Sequence, residues 1–99
     1  MNKPFYSDYV RHALRYYTRN ISVTHFKSDV DKQNWIACDK VMKAYSGYNQ
    51  SILISVYSGH DTLADEVYNI SKKCNIEQGQ IWDMMKECER KIARKRQLL

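Results

Sequence analysis

Between positions 78 and 96 stand Gln78, Lys86, Arg90, Lys91, Arg94 and Arg96, side-chain types that suit a nucleic acid. Amides and cations pair with base edges in the major groove, and cations hold phosphates. Gln78 and Lys86 fall where base edges would be reached, while Arg90, Lys91, Arg94 and Arg96 lie further along, where a backbone would be held. Interleaved with them, Trp82, Asp83 and Glu87 combine an aromatic anchor with two acids, which suits a basic protein partner. A second basic stripe, Arg11, His12, Arg15 and Arg19, reads either as phosphate ligands or as the solvated face of a helix. The basic end has a structural reading too, because cations in a last turn stabilise a helix against its own dipole.

Catalytic and metal chemistry find no comparable pattern. His12, His25 and His60 are scattered, with no motif pairing them to a Ser or Cys nucleophile. The chain has no glycine-rich phosphate loop and no His/Glu metal box. Cys38, Cys74 and Cys88 are spaced by 36 and 14, which fits neither a disulfide framework nor a zinc pattern. Each is expected to pack as a small apolar side chain in a reducing compartment. No apolar run approaches a membrane span, and Met1–Tyr6 lacks the apolar stretch of a secretion signal. The expectation is a cytoplasmic protein, not an enzyme, with no metal or cofactor.

The net charge of +5 is unevenly distributed. Residues 1–46 carry +4, residues 47–89 carry −4, and residues 90–99 carry +5 with no acid. The basic balance suits an anionic partner. With 99 residues the chain is expected to form one domain, an N-terminal helical pair over 1–46 and a second half over 47–99. One proline and three glycines disfavour a sandwich or barrel, and twelve per cent aromatic residues argue against disorder. No internal repeat, low-complexity segment or linker is present.

The elements that must position these residues read as helices, giving an all-α bundle of about five with a long last helix. Pro4 suits a first turn, and Tyr6, Val10, Ala13, Leu14 and Tyr17 share one face up to Arg19. Phe5, Tyr9 and Tyr16 widen that face, and the aromatic cluster is expected to pack against Trp35 and Tyr45 rather than stack on bases. Asn20–Phe26 reads as a connection. Ser28 caps a second helix carrying Val30, Trp35, Cys38, Val41, Met42 and Tyr45, which Gly47 ends. A short apolar helix runs from Asn49 to Tyr57 and stops at Gly59. Asp61 or Thr62 caps the next, whose face is Leu63, Val67, Ile70 and Cys74. Asn75 breaks it by accepting a left-handed conformation. The last helix spans Glu77 to Arg96, lined by Ile81, Met84, Met85, Cys88 and Ile92.

The last two helices have the makings of a helix-turn-helix, in which the second helix can enter the major groove. Ser71 is small where the helices would cross, Asn75 accepts a positive φ four residues later, and Ile70, Cys74, Ile76, Ile81 and Met84 fall where the second helix must be pinned. A plain helical hairpin would satisfy most of the same positions. The stretch from Asp61 to Ile76, followed by Ile81-Trp82-Asp83-Met84-Met85 and the basic end, resembles the C-terminal domain of sigma factors. It is similar in particular to short sigma-region-4-like proteins of phages and integrative elements. The likeness covers residues 50–96 and implies binding of promoter DNA, of RNA polymerase, or of both. The chain departs from DNA readers at the start of the recognition helix, where Glu77, Gln78, Gly79, Trp82, Asp83 and Lys86 include two acids.

Two functions from different classes follow. One is a DNA-binding transcription regulator on double-stranded DNA, with homodimerisation on paired half-sites as a further expectation. The other is a protein-binding module of a mobile element that docks on host RNA polymerase or inhibits a host nucleic-acid enzyme.

Overall fold

The computed structural model describes residues 3–99. Five α-helices follow one another: α1 (Ser7–Arg19), α2 (Asp29–Lys43), α3 (Gly47–Ser58), α4 (Leu63–Cys74) and α5 (Gln78–Lys95). No strand forms among the described residues; the β-branched run after Asn20 is an irregular connection. Among these residues, no helix is long and apolar enough to cross a membrane.

The helix starts follow local chemistry. Ser28, Ser46 and Thr62 each accept a hydrogen bond from the backbone N–H three residues ahead, satisfying a donor that the helix cannot. Two helix ends turn on left-handed residues. Asn75 (φ 55°) closes α4, and the Ile76 N–H reaches back to the Ser71 carbonyl. Gln97 (φ 58°) follows α5, and the Leu98 N–H reaches the Ala93 carbonyl at 2.8 Å while Leu98 packs on the core. Both are Schellman closures, and neither uses glycine.

All five helices contribute to one hydrophobic core. From α1 come Val10, Ala13, Leu14 and Tyr17, from α2 Ala37, Cys38, Val41 and Met42, and from α3 Ile52, Leu53, Val56 and Tyr57. α4 buries only Val67, whereas α5 buries Ile81, Met85, Cys88, Ile92 and Ala93. Each large side chain fully withdrawn from water contributes roughly 1.5–3 kcal/mol. α1 packs on α2, α3 and α5, so the N-terminal pair is built into the bundle rather than set beside it.

Several expectations are corrected. Gly47 does not end α2, which stops at Lys43 with Ala44 following; Gly47 is instead the first residue of α3, behind the Ser46 cap. Pro4 lies in a turn ahead of α1 rather than in its first turn. Phe5, Tyr9 and Val30 are exposed, because they fall outside the arc that neighbouring helices cover. Trp35 does meet the aromatics, with Tyr17 and Phe26 packed edge-on at centroid distances of 5.3 and 5.9 Å.

Candidate nucleic-acid interface

α5 carries the candidate residues, and its inner face fixes their direction. Ile81, Met85, Cys88 and Ile92 recur at helical spacing and are buried, which turns Asp83, Lys86, Arg90 and Arg94 to solvent. Lys86, Arg90 and Arg94 stand four residues apart and so follow one another along that outer face. Among the described residues, none of the three has a hydrogen-bond or ion-pair partner within the chain.

The other sequence candidates divide. Gln78 is exposed at the first position of α5, beside a cleft lined by Tyr68, Ser71, Lys72, Asn75, Ile76 and Glu77. Lys91 is held by Glu87 (3.2 Å) and sits 5.3 Å from the centre of the Tyr45 ring. Glu87 also accepts a 2.9 Å hydrogen bond from the Tyr45 hydroxyl. That bond first, and Lys91 second, hold the Glu87 carboxyl below its usual range. Glu87 and Lys91 therefore tie α5 to the end of α2. Arg96 is half-buried, and its Nε donates to Asn34 Oδ1 at 2.7 Å. Trp82 is half-buried and packed against the core, so only part of its ring faces outward; Asp83 is exposed.

The N-terminal basic stripe is engaged within the fold. Arg15 donates through Nη1 to the Gly59 carbonyl (2.7 Å) and through Nη2 to that of Asp61 (3.1 Å). Arg19 donates to the carbonyls of Gly59 (2.6 Å) and Ser58 (3.3 Å). Together they cap the C-terminus of α3, where carbonyls lack helical partners and the dipole favours a cation. Arg11 pairs through Nε with Glu89 at 3.0 Å. Of the stripe, only His12 is exposed without such a partner among the described residues.

Glu89 is 2 % exposed and was absent from the sequence reading. Its Oε2 receives both Arg11 Nε and the Tyr57 hydroxyl. Burial first, and the carboxylate second, push the Tyr57 phenol well above its ordinary value. The sequence signal for Glu89 was its place at i+4 and i+8 from the buried Met85 and Ile81. Such a position falls inside an apolar face, where a charge must be paired.

These pairings change the charge that the surface presents. Of the four acids between 77 and 89, Glu89 is buried, while Glu77, Asp83 and Glu87 stay exposed, Glu87 with its charge offset by Lys91 and bonded by Tyr45. A charge count along the chain overstates both the acidity of this helix and the basicity of α1. No protein-family model, curated protein or solved structure matches the chain, so geometry and side-chain chemistry carry the functional reading.

The turn before α5 is firmly built. Besides the left-handed Asn75, the Ser71 hydroxyl donates to the Ile76 carbonyl while the Ile76 N–H donates to the Ser71 carbonyl. Ser71 thus stitches α4 to the turn, a role beyond the small size that the sequence reading asked of it. Lys40, which sequence reasoning passed over, and Lys95 of the basic end border a cleft between α2 and α5 with Arg96. They belong to different helices far apart in the chain, and no periodicity reveals such a pairing.

Proposed function

We propose that this chain is a DNA-binding module of the transcription-regulator type, in which α4, the Asn75 turn and α5 act as a helix-turn-helix. The observation that carries the reading is the row Lys86, Arg90 and Arg94 on the outer face of α5, free of partners among the described residues, behind a three-residue turn whose pivot is left-handed. Gln78 and Lys86 would meet base edges, and Arg90 and Arg94 the phosphates. The likeness of residues 50–96 to sigma region 4 gives the reading its direction, toward promoter DNA and RNA polymerase and toward a phage or integrative-element setting. Asp83 on the same face lowers affinity for any polyanion, so the module is a modest binder whose cations lie mostly in the second half of the helix.

The test is binding of the purified protein to a mixed pool of duplex DNA at low and near-physiological salt. Affinity should fall with salt by a log–log slope of roughly −0.9 per phosphate neutralised. Arg90→Glu combined with Arg94→Glu should abolish binding, and Asp83→Lys should strengthen it. Absence of binding at every salt, or binding indifferent to the double reversal, overturns the reading.

One observation supports the second reading, a protein partner such as RNA polymerase. Tyr48 is 58 % exposed at the start of α3. It borders a groove of about 320 Å³ whose floor is Ile52, Ile76, Ile81 and Met84 and whose lining also includes Asn49 and Gln80. Tyr48→Ala should then remove capture of that partner while leaving DNA affinity intact, and loss of neither sinks this alternative.

A further inference from the structure

We infer that the cleft between α2 and the C-terminal end of α5 is a site for a phosphate group, separate from the outer row of α5. The cleft holds about 200 Å³ and is lined by Gln33, Ile36, Ala37, Lys40, Lys95 and Arg96. This is smaller than the roughly 300–1,000 Å³ of pockets that enclose a whole small molecule, and it suits one compact group. Three of its six lining side chains are cations and none is an acid. Lys40 and Lys95 are exposed and have no ion-pair or hydrogen-bond partner among the described residues.

The third cation is positioned. Arg96 donates through Nε to Asn34 Oδ1 at 2.7 Å, and Asn34 is in turn bonded to the Tyr9 hydroxyl through its Nδ2 at 3.0 Å. That anchor uses one guanidinium donor and leaves the Nη groups for a ligand, in the fork geometry that matches a phosphate. A helix C-terminus ordinarily repels an anion through its bare carbonyls. Here three of the last four carbonyls are occupied: Ile92, Ala93 and Arg94 accept from the N–H groups of Arg96, Leu98 and Gln97. Three like charges around one small cleft repel one another, and an entering anion relieves that repulsion. Gln33 adds a neutral donor at the rim.

The phosphate can belong to a nucleic-acid backbone or be free in solution, and two arms separate these sources. In the first, inorganic phosphate is titrated at constant ionic strength against chloride while amide and arginine Nε–H signals are followed by NMR. Saturable shifts confined to Arg96, Lys40, Lys95 and Gln33 are expected, and Lys40→Ala with Lys95→Ala should weaken the binding at least tenfold. Both lysines are exposed, so the variant should fold as the parent does. Shifts that never saturate, or that spread over all basic residues, overturn the proposal. In the second arm the same double variant is compared with the parent on duplex DNA. A fall of the salt slope by roughly 2 assigns the site to backbone phosphates, since each contact contributes about 0.9. An unchanged slope, with saturable phosphate binding by the parent in the first arm, assigns it to the free anion. If no variant binds DNA at all, the regulator reading fails while the first arm still decides the cleft.

Discussion

Replacing Arg11 by methionine tests the buried network most directly. Glu89 is 2 % exposed, and its Oε2 is shared by Arg11 Nε at 3.0 Å and the Tyr57 hydroxyl. Arg11→Met leaves a buried carboxylate with a single donor. Breaking a fully buried pair from one side costs about 3–5 kcal/mol, and losing one hydrogen bond to a charged group about 1.5–3. The Arg11 side chain keeps 25 % of its surface in solvent, so water can partly replace it. The expected loss is therefore about 2–3 kcal/mol, a large share of the 5–15 that a small domain typically possesses. At roughly 4–8 °C per kcal/mol for a chain of this size, Tm should fall by about 8–24 °C. Urea unfolding followed by far-ultraviolet circular dichroism would read the same loss as a shifted midpoint at unchanged slope. The triple variant Arg11→Met, Tyr57→Phe, Glu89→Met should recover to within about 1 kcal/mol of the parent, because no polar group is then left unpaired. A cost below about 0.5 kcal/mol for Arg11→Met, the level of an ordinary surface pair, refutes the reasoning, as does a triple variant as unstable as the sum of its parts.

Alkaline pH should destabilise the fold through groups that it keeps protonated. Burial raises the Tyr57 phenol from its ordinary 10.0 and the Cys88 thiol from 9.0, and pushes Cys38 up to about 12. A raised folded value means that their contribution is complete below the unfolded values and is lost as pH climbs toward the folded ones; at about 1.4 kcal/mol per pH unit and proton, three groups give roughly 4 kcal/mol per unit above pH 10. Urea midpoints that stay flat through that range would contradict it. Ser71→Ala should cost about 1 kcal/mol, since its hydroxyl bond to the Ile76 carbonyl is lost, and should weaken DNA binding if the turn orients α5; unchanged stability argues against the stitch. Gln97→Gly should add about 0.5–1 kcal/mol by removing the side-chain penalty of φ 58°, visible as a higher Tm, and a lower Tm would show that the Gln97 side chain matters more than its backbone. For function, Arg90→Glu with Arg94→Glu should remove DNA binding while lowering Tm by no more than about 8 °C, because a solvent-exposed substitution rarely changes stability by more than about 0.5 kcal/mol.

What sequence alone determined was set by local rules. The 3.6-residue period marked the buried faces of α1 and α5, Ser28 and the pair Asp61 or Thr62 marked helix starts, and Asn75 marked the turn. Each depends on residues within a few positions of one another, so it can be read along the chain. Gly47 shows the limit of that reading: glycine suits a helix end, yet the hydroxyl of Ser46 made it a beginning. Tertiary structure decided which charges remain available. Arg11, Arg15 and Arg19 share one helical face with the look of a phosphate stripe, and only the arrival of α3 and α5 turned them into a carboxylate partner and two helix caps. The same packing withdrew Glu89 from the surface, gave the exposed Glu87 partners in Tyr45 and Lys91, and brought Lys40 beside Lys95 and Arg96. Hydrogen bonds and ion pairs act over a few ångströms in space. Partners separated by tens of residues leave no periodic trace in the chain, so the electrostatic surface that any ligand meets is a property of the fold.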